Sequence, residues 1–163
     1  MTNLIPGGAG GAKAFLLLVA ASSPAVAGSS DGTWTLASRT LADGKELKSP
    51  AVHGMSTFKN GINQLIVVWP TPDGKSGSVS SLSKWEFKAN AIIATPIVSI
   101  FDEGKGAPPV YTLGGDPKTV PVKRTGSTIS YHHPLDPPEI VRKGDDFDAE
   151  VKGVFVDHWK KVK

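Results

Sequence analysis

The chain has no cysteine among its 163 residues. That removes disulfides, thiolate nucleophiles and the lipid-attachment residue of a bacterial lipoprotein. Charge of one sign is scarce as well: eighteen basic and fifteen acidic side chains leave a formal net charge of +3, too small a surplus for a nucleic-acid footprint. The basic end Lys160, Lys161 and Lys163 follows an acidic patch at Asp145, Asp146, Asp148 and Glu150, and both read as solvated surface. Metal-ligand spacing is missing too. His132 and His133 are neighbours that would point to opposite faces of a strand, His53 and His158 are distant in sequence, and no His-x-His pattern occurs. No nucleophile elbow is present, because Gly54-Met55-Ser56-Thr57-Phe58 lacks its second glycine. Gly7 to Lys13 imitates a phosphate loop but carries Ala12 where a glycine is required. No metal site and no cofactor are expected.

What is present begins with a leader. Lys13 and the amino terminus supply positive charge, Ala14 to Ala21 is a short apolar core, and Ala25-Val26-Ala27 fits a small-residue cleavage site. The core is too short to span a bilayer. Residues 1–27 therefore read as a secretory signal peptide, and residues 28–163 as one domain of a periplasmic or secreted bacterial protein with no stable membrane insertion after cleavage. A retained anchor is the alternative.

From residue 28 onward Gly and Pro interrupt the chain about every ten residues, and no segment shows a helical stripe. Thr33 to Leu41 reads as the first strand, closed at Asp43-Gly44. Val52 to Phe58 and Ile62 to Trp69 flank Asn60-Gly61, a pair that accepts the positive φ angles of a tight hairpin. A strand from about Ser78 alternates Trp85 and Phe87 with Lys84, Glu86 and Lys88. Ile92 to Phe101 is almost continuously apolar, and Pro96 within it predicts a bulge, bend or edge. Short strands follow at Val110 to Leu113, Thr119 to Lys123 and Ser127 to His132. The last, Phe147 to Trp159, holds Phe147, Ala149, Val151, Phe155 and Trp159 in phase, with Gly153 at a possible kink.

Eight or nine sequential antiparallel strands with an apolar face must close on themselves or pack as two layers. The expectation is an all-β, up-and-down antiparallel barrel of about eight strands, with a sandwich as the alternative. Gly32-Thr33-Trp34 at the start of the first strand matches the Gly-x-Trp signature of the calycins, and His158-Trp159-Lys160-Lys161 at the other end completes a pattern that resembles the small bacterial lipocalin-like domains. The likeness covers both ends of residues 28–163 and only loosely their middle. It implies that Gly32 and Trp34 are structural, with Trp34 closing the barrel floor under a basic group drawn from Arg142, Lys160 or Lys161.

In such a barrel inward side chains alternate with outward ones, so Met55, Phe58, Trp69, Trp85, Phe87, Tyr131 and Phe155 are candidates for a ligand-binding wall. The implied function is binding of a small hydrophobic or aromatic molecule by a monomer or weak homodimer. Two alternatives remain at this point: an isomerase or cyclase with Tyr131, His132 or Glu86 as acid–base groups, and a solid-core interaction module without an internal void.

Overall fold

The computed structural model describes residues 31–163, so the proposed signal peptide, residues 1–27, lies outside the described residues. The described chain is all-β, with thirteen antiparallel strands in one sheet and no helix. The strands are β1 (Gly32–Leu41), β2 (Glu46–Lys48), β3 (His53–Lys59), β4 (Ile62–Pro70), β5 (Ser76–Phe87), β6 (Ala91–Asp102) and β7 (Val110–Leu113), then β8 (Lys118–Pro121), β9 (Lys123–Thr125), β10 (Thr128–His132), β11 (Glu139–Lys143), β12 (Asp146–Val151) and β13 (Phe155–Lys161). Hydrogen bonding runs in the order β7-β6-β5-β4-β3-β1-β13-β12-β11-β10-β9, with β2 on β1 and β8 on β6.

Local chemistry explains the turns and breaks. Asn60 (φ 53°) and Gly61 (φ 75°) both sit in the left-handed region, as the β3–β4 hairpin requires. At Pro96 the partner register jumps from Leu82↔Val98 to Ser83↔Pro96, so Ile97 is the extra residue of a bulge. The count of about eight strands is corrected to thirteen. The segment Phe147 to Trp159 is two strands, because Gly153 (φ 73°) turns a hairpin that sets Phe147 opposite Trp159. The short strands β2 and β11 were too brief, between turn residues, to show alternation.

The ladder is not closed. The first and last strands, β1 and β13, do pair, from Trp34↔Lys161 to Leu41↔Phe155. The break lies mid-chain, where one edge of β6 is shared. Ala91–Ala94 pairs with β8, while Val98–Phe101 pairs with β7. Beyond β8, past Val122 alone, β9 pairs with β10. Among the described residues, the other edge of β7 carries no strand.

Directly opposed residues in an antiparallel pair share a face, so the register sorts the whole sheet. One face carries Trp34, Leu36, Val67, Trp85, Ile140, Ala149 and Trp159, all buried. Phe58 and Tyr131 pack against both buried clusters and join them. Side chains of β3 and β5 thus meet β10 on a strongly curved, concave face.

Candidate functional site

The two ends of this concave face differ. At the end where β1 begins, Trp34 and Phe58 meet edge to face at 6.0 Å, and Phe58 meets Trp85 at 5.3 Å. Phe87 stacks on Trp85 at 5.8 Å, and the His133 ring approaches Trp85 to 5.1 Å. Buried polar atoms here are paired: Trp85 Nε1 donates to Ser83 Oγ at 2.7 Å, and Asn63 Nδ2 donates to Ser56 Oγ at 3.0 Å. His133 Nδ1 accepts from the backbone N–H groups of Leu135 (3.3 Å) and Asp136 (3.0 Å), which places the ring proton on Nε2. Burial holds its pKa below the usual histidine value. Burial also pushes the Tyr131 phenol up to about 12.

The Gly-x-Trp opening has a physical cause at this end. The Trp34 ring folds back over Gly32, where an added Cβ would meet it at 2.8 Å. Trp34 Nε1 donates to the Asp145 carbonyl at 2.6 Å. The basic cover comes from Arg142 and Lys161, at 5.4 and 5.8 Å from the ring centre, while Lys160 turns away to Asp146.

The other end is open. The concave row Gly54–Val67–Val79–Phe101–Val110 crosses five strands. Along it exposure rises from 5% at Val67 to 41% at Phe101 and 62% at Val110. Concave side chains are left uncovered where β7 has no further strand beside it among the described residues. Trp69 lies flat over Gly77, whose added Cβ would meet the indole at 2.6 Å, and reaches Phe101 at 6.1 Å. Beneath them sits a buried ion pair. Arg39 Nε and Nη2 bond Asp157 Oδ1 and Oδ2 at 2.5 and 2.7 Å, and the guanidinium lies 3.9 Å from the Phe155 ring centre and 5.7 Å from that of Trp69. Burial raises the Asp157 carboxyl above its ordinary pKa against the pull of Arg39. Between the two ends Trp159 stacks on Phe147, and its Nε1 is buried without a hydrogen-bond partner among the described residues.

The seven wall candidates therefore separate. Phe58, Trp85 and Tyr131 belong to the packed end, Phe87 lies at its rim and is 44% exposed, and Trp69 and Phe155 belong to the open end. Met55 is corrected to the convex face: it opposes Ile66 and is 42% exposed. A one-residue register choice decides inside from outside, and the sequence around Met55 left that choice open. The acid–base candidates do not converge. Glu86 is exposed between Lys84 and Lys88, whose nearest hydrogen bond, from Lys88, lowers its pKa. His132 is exposed beside Glu139 at 3.0 Å, whereas Tyr131 faces the core.

Sequence reading missed Arg39 and Asp157. The signal was available: Asp157 falls in the same phase as Phe155 and Trp159, and a charge on an apolar face needs a buried partner. The convex face of β3 to β7 was also unread. Its rows Met55–Ile66–Ser80–Ile100–Tyr111 and Thr57–Gln64–Leu82–Val98–Leu113 contain no charge. A shallow groove of about 340 Å³ runs between them along Gln64, Leu82 and Val98.

Comparison of the chain with protein-family models, curated proteins and solved structures gave no match.

Proposed function

We propose that the chain is an exported lipocalin-like protein that rolls its sheet into a barrel and binds a small hydrophobic or aromatic molecule at the Arg39 end. The observation that carries this reading is the run of neighbouring exposed concave side chains there, Phe101 and Val110, around the half-buried Trp69 and Phe155, whereas at the other end Phe87 alone is an exposed concave ring over a filled interior. Rolling is supported by the pairing of β1 with β13, and by β8 and β9 joining β6 to β10 through Val122.

The mechanism is transfer of apolar ligand surface onto aromatic side chains that are already in place. At roughly 25 cal/mol per Å², covering about 200 Å² supplies about 5 kcal/mol, the scale of a sub-millimolar dissociation constant. The Arg39–Asp157 pair holds Phe155 and Trp69 in position and leaves the floor formally neutral, so an uncharged ligand meets no unpaired charge. The separation of Tyr131, His132 and Glu86 weighs against acid–base catalysis on the same face.

Native mass spectrometry of the purified chain, followed by extraction, tests the reading. It predicts a copurifying apolar molecule that Trp69→Ala releases and Phe87→Ala, at the packed end, retains. Equal loss in both variants would refute the placement.

A further inference from the structure

We propose that the edge of β7 left unpaired among the described residues and the uncharged convex rows ending at Tyr111 and Leu113 form the contact between two copies of this chain, paired antiparallel about a two-fold axis at Thr112. The contact uses the backbone edge and the convex side of β7, whereas the ligand reading uses its concave side chain Val110.

The edge invites pairing. An unpartnered strand presents a row of free backbone N–H and C=O groups, and natural edges are guarded by charge, proline, bulges or shortness. Val110-Tyr111-Thr112-Leu113 has no charge and no proline, and all four residues are exposed, Leu113 to 82%. Shortness is its one guard, which points to a weak and reversible contact. The adjoining convex rows hold no charge to repel a second uncharged face or to attract a charged one.

Geometry selects the occupant and the register. A two-fold axis perpendicular to the sheet keeps each face on its own side, so opposed residue numbers must sum to an even value. An axis at Thr112 sets Tyr111 against the partner's Leu113 and Leu113 against the partner's Tyr111. Both exposed apolar side chains are then covered, and each convex row continues into the other row of the partner. An axis at Tyr111 would leave Leu113 opposite Pro109, which has no N–H to donate. An axis at Leu113 would need Gly114 and Gly115, whose φ angles of 67° and 150° lie outside strand geometry. The edge therefore fits itself best in one register.

Because the chain has no cysteine, single substitutions give a clean test. Thr112→Cys on the axis brings two thiols within reach of a disulfide, whereas cysteines at Val110 or Leu113 meet their copies at about 8 Å or more. The expected result is that mild oxidation of the purified chain links Thr112→Cys into dimers at least tenfold faster than Val110→Cys or Leu113→Cys. Sedimentation of the unsubstituted chain should show concentration-dependent dimers, and Leu113→Lys should weaken association at least tenfold. Preferential linking through Tyr111→Cys would overturn the register. Equal linking at every position, a chain that stays monomeric at all concentrations, or linkage only to a different protein would overturn the proposal.

Discussion

The end of the sheet around Trp34 and the end around Arg39 are built from the same alternating strands and both carry aromatic rings, yet one is filled and the other is open. Coverage makes the difference. Over the Trp34 end, β8 and Val122 lie against β6, and the chain passes on to β10, so Trp85, Ile92 and Ala94 lose nearly all contact with water. Over the Arg39 end that edge of β6 is taken by β7, and among the described residues no strand follows it. Inward orientation and burial are therefore separate properties, and a ligand-accepting surface arises where the first occurs without the second.

Truncation should separate the ends most sharply. Trp85→Ala removes a side chain only 2% exposed that touches Phe58, Phe87 and His133, and should cost about 3–5 kcal/mol in urea unfolding. Phe101→Ala, at 41% exposure, should cost less than about 1 kcal/mol. Similar losses would erase the distinction.

Next in size is the ion pair beneath the open end. Arg39→Met leaves a buried carboxylate and should destabilise the fold by about 3–5 kcal/mol at neutral pH, while Arg39→Met with Asp157→Leu recovers most of that. The sign with pH follows from burial, which favours the protonated form of Asp157. Its contribution to stability is present below the unfolded pKa and is lost as pH rises through the folded one, so the Arg39→Met penalty should shrink on acidification. Equilibrium unfolding of both variants across the acid range checks it.

A smaller effect belongs to the packed end. The Tyr131 phenol, raised from 10.0 to about 12, stabilises the fold fully below pH 10 and progressively less up to about 12, a change of about 2–3 kcal/mol. Tyr131→Phe should flatten that alkaline slope, and unchanged curvature would remove Tyr131 from the interior. Smallest is the effect of Phe87→Ala on ligand affinity, expected to stay within about twofold because Phe87 borders the filled end. A tenfold loss would move the site there.

Much of this fold was legible because its signals are local. Asn60-Gly61 dictates a hairpin by backbone sterics, Pro96 marks a bulge by its missing N–H, and the alternation around Trp85 follows from the pleat. Gly32 and Trp34 belong together because the indole needs the space above a residue without Cβ. What escaped depends on distant partners. Met55 lies between a convex and a concave assignment until its pairing with Ile66 is known. Gly153 looks the same in a kink and in a hairpin. Arg39 and Asp157 are separated by more than a hundred residues, so their bond could be anticipated only from the oddity of a charge on an apolar phase. The open end itself is set by where β7 stops pairing, which no single segment records.

The two ends are told apart by following the indole N–H resonances of the isotope-labelled chain during titration with the uncharged probe N-phenyl-1-naphthylamine. The Trp69 resonance should shift with the probe, while those of Trp34 and Trp85, bonded to Asp145 and Ser83, should hold still. Movement of Trp34 or Trp85 with Trp69 unmoved would contradict binding at the Arg39 end.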